Sequence, residues 1–150
     1  MKVRRIVTGH DTDGKAVVKW DSEIDAVPGR PGFSHVPLWA TDKLPPVLTD
    51  EDPAEWDIGT TIADGSVFRI IQYDPGVAGR RHVTDSIDYA IVLSGEIDME
   101  LDDGQEVHLK AGDVLIQRAT IHNWVNRGAA PCVIAFVLIA IEGGRSKDWS

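Results

Sequence analysis

The chain has 150 residues, of which 43% are hydrophobic, and its 15 Lys and Arg against 24 Asp and Glu give a formal net charge of −9. That length supports one domain with a core large enough to need neither disulfides nor a structural metal cluster. An acidic balance of this size repels phosphate backbones and argues against a nucleic-acid partner.

From the N-terminus, Met1 to Val7 carries positive charge but no long apolar stretch, so no signal peptide is expected and the cytoplasm is the expected location. Val3–Thr8 and Ala16–Trp20 read as two strands of a hairpin around the turn His10–Gly14. A Pro- and Gly-rich loop follows at Val27–Gly32, then an extended piece over Phe33–Ala40. Thr41–Thr61 holds three prolines and a cluster of acids and reads as irregular, with a short helical turn near Pro53–Trp56. From Ser66 the pattern becomes regular. Strands are predicted over Val67–Tyr73, Tyr89–Leu93, Glu96–Leu101, Glu106–Leu109, Val114–Gln117, His122–Asn126 and Cys132–Ile141. Turn signals separate them, including the hairpin-forming Asp102-Asp103-Gly104. The Pro131–Ile141 run is too short to span a bilayer and reads as a core strand, so no membrane partner is expected. An all-β, double-sheet jelly roll is the architecture this implies. It is expected as a single domain over 1–150, with 1–62 an N-terminal strand extension and 66–141 the barrel core. The extension is expected to cover a sheet edge on its own barrel or on a partner's.

Two motifs stand inside the regular region. The first is Gly76-x5-His82-x-Thr84-x3-Asp88-x6-Gly95, and the second runs from Gly112-Asp113 to His122-x3-Asn126, with sixteen residues between Gly95 and Gly112. In this order and spacing they resemble the cupin family. The resemblance implies a small β-barrel, and in metal-binding members a divalent ion held by two histidines and a glutamate of the first motif with a histidine of the second. This chain departs from that pattern. His82 and His122 are kept, but Thr84 stands at the second histidine and Asp88 at the glutamate. The second motif lacks the usual Pro-Gly before its histidine, reading Gln117-Arg118-Ala119-Thr120-Ile121 instead. The resemblance further implies a homodimer with N-terminal strands at the subunit interface.

Strand alternation puts Asp88, Ala90 and Val92 on one face and Tyr89, Ile91 and Leu93 on the other. If the barrel closes as in the family, Asp88 points inward toward His82 and His122. Two imidazoles and a carboxylate suffice to hold iron, manganese, nickel or zinc on one side, leaving positions for substrate. Without metal the same groups move protons, the carboxylate fixing a histidine tautomer. These residue types do not choose between a metal site and none. Thr84 or Tyr89 is the expected partner of a substrate oxygen, Arg118 an expected anion contact, and Trp124 the expected wall against an apolar or ring-shaped ligand. His10 and His108 read as surface or hydrogen-bonded residues, His35 as a residue able to approach the barrel mouth, Asp85 as a loop acid, Arg80 and Arg81 as loop arginines, and Cys132 as a buried inert thiol.

Three functions compete for a small-molecule substrate. Resemblance to cupin lyases, dehydratases and isomerases implies acid-base chemistry on an oxygenated cyclic or polyketide-like compound or a sugar, with His82, Asp88 and His122 catalytic. Resemblance to cupin dioxygenases implies the metal. Resemblance to cupin sensor domains implies ligand binding alone. The weakened ligand set favours the first.

Overall fold

A computed structural model of the protein describes residues 1–143. Eleven strands are present among them: β1 (Lys2–His10), β2 (Ala16–Asp25), β3 (Val27–Pro28), β4 (Phe33–Thr41), β5 (Ser66–Tyr73), β6 (Ser86–Ser94), β7 (Glu96–Glu100), β8 (Glu106–Lys110), β9 (Val114–Arg118), β10 (Asn123–Val125) and β11 (Cys132–Ala140). The described residues contain no α-helix, only single 3₁₀ turns at Pro53–Glu55 and Asp102–Gly104. The strands form one six-stranded sheet in the order β3-β4-β5-β11-β6-β9, one three-stranded sheet in the order β10-β7-β8, and the separate β1-β2 hairpin. All the strand pairings are antiparallel.

Alternation along β5, β6 and β11 builds the core between the two larger sheets. Val67, Ile71 and Tyr73 from β5, Ala90 and Val92 from β6, and Ile134, Phe136 and Leu138 from β11 meet Ile97, Met99, Leu109 and Trp124 from the smaller sheet. Each fully buried apolar side chain of this size contributes about 1.5–3 kcal/mol relative to exposure. The smaller sheet is short, so the barrel has a mouth rather than a closed end.

The hairpin β1-β2 lies elsewhere than expected. It covers the outer face of the larger sheet, not an edge: Val3, Ile24 and Ala26 pack with Val36, Leu38 and Ile70 in a second apolar cluster. Arg5 fixes it there, donating to the Leu38 carbonyl at 2.9 Å and to both oxygens of Asp52 at 2.7 and 2.5 Å. Asp52 also caps the 3₁₀ turn by accepting from the Ala54 N–H. Several boundaries differ from the sequence reading: Val27–Pro28 forms β3 inside the expected loop, β6 begins at Ser86 rather than Tyr89, and β10 is limited to Asn123–Val125. β2 continues to Asp25, five residues past Trp20, because it follows β1 along its whole length. His10 ends β1 and does not lie in the turn.

The motif glycines and Asn126 hold the loops. Gly95 has φ +74°, and a Cβ there would lie 2.3 Å from the Pro131 carbonyl oxygen, so the β6-β7 turn admits no side chain. Asn126 is buried; its side-chain amide donates to the carbonyls of Tyr73 and Ala130 at 2.9 Å each, its side-chain oxygen accepts from the Gly128 N–H at 3.0 Å, and its backbone carbonyl accepts from the Gly76 N–H at 3.0 Å. This residue of the second motif therefore ties the start of the first motif to the end of β5. Asn126→Ala removes three side-chain hydrogen bonds and strands buried backbone carbonyls. A loss of about 2–4 kcal/mol in urea unfolding is expected, and a loss below about 1 kcal/mol would show that water replaces the amide.

Candidate active site

The two motif loops meet through a backbone bridge. The His82 N–H donates to the His122 carbonyl at 3.0 Å and the His122 N–H to the His82 carbonyl at 2.9 Å. Such a mutually bonded antiparallel pair sets two side chains next to each other, and the two imidazole centroids are 4.4 Å apart. Each ring is oriented the same way: His82 Nδ1 lies 2.8 Å from the Arg80 carbonyl, and His122 Nδ1 lies 2.8 Å from the Thr120 carbonyl. A carbonyl can only accept, so both rings carry their proton on Nδ1 and keep an unprotonated Nε2.

These residues line two connected spaces. The inner one is a pouch of about 30 Å³ that includes Thr84, Asp88, Gln117, His122, Trp124 and Phe136 in its wall. The outer one is a vestibule of about 220 Å³ that includes Arg30, Phe33, His35, Ile58 and Arg80. Thr60, Arg69, Ile71, Tyr73 and His82 belong to both walls. A larger cleft of about 410 Å³, between the hairpin and the 41–56 segment, contains none of the motif residues.

Asp88 stands on β6 between Leu138 of β11 and Gln117 of β9. Burial pushes its carboxyl up to about 6, against the opposing effects of a 2.5 Å hydrogen bond from Ser86 and the positive charge of Arg69. Burial pushes His122 down to about 4, and also lowers His82, which the nearby arginines lower further. At neutral pH the cavity therefore holds two neutral imidazoles with free Nε2 lone pairs and one carboxylate that is mostly ionised but more basic than an ordinary aspartate, a combination able to move protons. Trp124 closes the pouch floor, with its ring edge-on to His122 and Phe136 at 6.0 Å each.

Of the expected residues, His82, Thr84, Asp88, His122 and Trp124 share this cavity, and two do not. Tyr89 follows the strand alternation to the outer face of β6 and is 48% exposed. Arg118 ends β9 opposite Ile87, one residue beyond inward Gln117, and so points outward. The expected three-donor metal group does not form either: among the described residues no three His, Cys, Asp or Glu side chains are placed to share one ion. Asp88 is turned to Ser86 instead, leaving two neighbouring imidazoles as the donors. The expected set, as placed here, does not match the needs of a divalent ion. His35 reaches the vestibule, while His108 is exposed between Asp98 and Glu96. Cys132 is buried, its thiol pushed up to about 11 by burial, in keeping with an inert side chain.

Two cavity residues and one supporting residue carry no motif in the sequence. Arg69 and Gln117 are polar residues at inward positions of apolar strands, and Ser86, two residues before Asp88, donates to its carboxylate from outside the cavity wall. The interruption of an apolar alternation at Arg69 was the available signal.

A double-stranded β-helix with histidines from two motif loops at its mouth defines a cupin barrel. Residues 69–139 match the cupin domain family. The cupin-domain-containing oxidoreductase fogC of Aspergillus ruber is 33% identical over 148 residues, covering 92% of this chain and 72% of that protein. Phomopsin biosynthesis cluster protein C′ of Diaporthe leptostromiformis is 40% identical over 135 residues, covering 82% and 70%. The chain belongs to the cupin family. Among solved structures, the polyketide cyclase RemF from Streptomyces resistomycificus superposes with a TM-score of 0.55 at 18% identity, over 80% of this chain and 76% of that one. A putative ethanolamine utilization protein Q from Salmonella typhimurium gives 0.52 at 12% identity, over 95% and 99%. At those identities the likeness is one of fold.

The two buried titrations oppose each other. His122 is protonated more readily when unfolded, so its contribution to stability is lost as pH falls from about 6.5 toward about 4. Asp88 is protonated more readily when folded, so its contribution is lost as pH rises from about 3.8 toward about 6. Between pH about 7 and about 5 each is worth about 1–2 kcal/mol with opposite sign. On acidification over that interval, His122→Gln should gain stability relative to the parent and Asp88→Asn should lose it, as read by urea unfolding at both pH values. Parallel behaviour of the two variants would show that one of the groups is solvated.

Proposed function

We propose that the protein is a small-molecule cupin enzyme that moves a proton on an oxygenated, ring-bearing substrate. The observation that carries this is the pair of neutral imidazoles, 4.4 Å apart, with both Nδ1 protons committed to backbone carbonyls. Of the two, His82 shares its wall with the vestibule and is the base that meets substrate; His122 and Asp88 lie behind it and relay or return the proton. Phe33 and Tyr73 give the ring an apolar wall in the vestibule, and the pouch beyond, with Thr84 and Trp124 in its wall, takes no more than a small substituent or a water. Many lyase, dehydratase and isomerase reactions begin with such a proton abstraction.

A second reading is redox chemistry. It is favoured by the relatives that bear the name cupin-domain-containing oxidoreductase, fogC of Aspergillus ruber among them and virC of Hypocrea virens, which is 30% identical over 144 residues. In that reading iron, manganese, nickel or zinc joins His82 and His122, and Asp88 must leave Ser86 to complete the set. Binding without reaction is the third.

The readings separate in deuterium oxide. With 1-tetralone, 4-chromanone and 4-oxochroman-2-carboxylate as probes, proton chemistry predicts enzyme-dependent deuterium incorporation next to the carbonyl, with no oxygen consumed. His82→Ala should lower that rate by roughly 10²–10⁴ with an unchanged melting temperature. Equal incorporation by the parent and the variant would end the proton reading. Oxygen uptake that depends on near-stoichiometric bound metal would establish the redox one.

The proposal includes a homodimer. Tyr89, Ile91 and Leu93 on β6 and Val114 and Ile116 on β9 make one exposed apolar stripe on the outer face of the larger sheet. Contiguous apolar surface of this kind is what a second copy covers. Light scattering should give a dimeric mass for the parent and a monomeric one for Ile91→Glu with Ile116→Glu, and a monomeric parent would remove the dimer.

A further inference from the structure

Arg69 is a cation placed where the fold has no internal use for it. It projects from the middle of β5 into the wall common to pouch and vestibule, and its Nε is buried without a hydrogen-bond partner. Burial lowers its pKa, with the charges of Tyr73 and Asp88 acting the other way and those of Arg80 and Arg30 adding to the fall. Two further arginines share the vestibule wall, Arg30 and Arg80, and none of the residues of that wall is an aspartate or glutamate. Arg30 is already oriented: its Nε donates to the Ala78 carbonyl at 2.9 Å, and its guanidinium stands 4.4 Å from the Phe33 ring centroid. His35, on the same wall, keeps a buried Nδ1 without a partner. In a chain of formal charge −9, three arginines and two histidines around one cavity with no acid in its wall is a local reversal of sign.

Arg69 is half-buried, and a guanidinium whose buried Nε has no partner is costly unless something in the functional state pairs with it. Its planar fork fits a carboxylate or an enolate oxygen by two parallel hydrogen bonds. We infer that the vestibule binds the substrate as an organic anion, a planar ring bearing a carboxylate or an ionised enol or phenol, with Arg69 as the primary contact and Arg30 and Arg80 at the mouth. Phe33 and Tyr73, whose rings meet edge-on at 5.7 Å, flank the ring of that anion. The anionic group at Arg69 then sets the rest of the molecule toward His82, whose ring lies in the same wall. The inference rests on the barrel cavity being the substrate site, but not on the proton chemistry proposed for it.

Binding decides it without turnover. Isothermal titration of the parent protein with benzoate and 4-nitrophenolate is compared with titration by benzamide and nitrobenzene, their neutral counterparts. At least one anion should bind, at least about tenfold more tightly than its neutral counterpart, and added salt should weaken it. Benzoate alone identifies a carboxylate site, and 4-nitrophenolate alone an enolate or phenolate site. Arg69→Met should lose that anion binding by about tenfold or more while it remains folded. Failure of both anions to bind, equal binding of the neutral compounds, or undiminished anion binding in Arg69→Met each overturns the inference. If Arg69→Met does not fold, the anion-to-neutral ratio in the parent still decides. Anion binding that depends on Arg69, in a protein that shows no deuterium exchange, would keep this inference and remove the proton reading.

Discussion

Two backbone hydrogen bonds between His82 and His122 set the geometry on which the site depends. They join loops that are forty residues apart in sequence, and they do so with the two histidines of the proposed site. Because each histidine's N–H and carbonyl are used by the other, the two backbone positions cannot move apart without breaking the bridge. The carbonyls two residues upstream, of Arg80 and Thr120, then fix the rings. Position, orientation and tautomer are all decided by main-chain groups, which no side-chain substitution in the loops can easily disturb. Support of this kind by the backbone is what holds a site within the small tolerance that reaction geometry requires.

Around that bridge the barrel accepts costs that a purely structural core would avoid. Asp88, Arg69, Gln117 and both histidines are polar groups inside an apolar shell of Phe136, Leu138, Ile71 and Trp124. Nε of Arg69 and Oε1 of Gln117 have no partner there. Each such atom costs about 1–3 kcal/mol, and apolar residues in their place would make a more stable barrel. The rest of the fold offsets this with an extensive antiparallel ladder, a second apolar cluster under the N-terminal hairpin, and the Arg5–Asp52 pair that pins the hairpin down. The N-terminal hairpin is thus best understood as support for the sheet that carries Arg69, since Ile70 faces the hairpin while Arg69 faces the cavity.

Much of this was legible in the sequence, for identifiable reasons. The strands from Ser66 onward are bounded by turn residues of fixed conformational demand, such as Gly95 and the Asp102-Asp103-Gly104 run, and period-2 alternation told which side of β6 Asp88 faces. The same alternation already places Tyr89 outside, and Arg118, one residue out of phase with Gln117, lies outside as well. The geometry between Asp88 and the two histidines was not legible, because it turns on a local hydrogen bond from Ser86. Arg30 and Arg69 were invisible as a pair: thirty-nine residues separate them, and only the β4-β5 pairing and the Val27–Gly32 loop bring them to one wall.

The distribution of charge gives the site its direction. The outside of the barrel is acidic, with His108 and Arg127 engaged by Glu96, Asp98, Glu100 and Glu106 on the smaller sheet. Those cations are neutralised in solvent and contribute little to the cavity. The cavity cations face inward, where low polarity strengthens their field and salt screens it less. The effect is already visible on a resident group, since Arg80, Arg30 and Arg69 all act to lower the basicity of His82. An anion seated among those arginines would cancel part of that field and raise the basicity of the same imidazole. On the proposed function, a base that strengthens when its substrate arrives needs no separate activating residue, which agrees with histidines whose Nδ1 meet backbone carbonyls rather than a carboxylate.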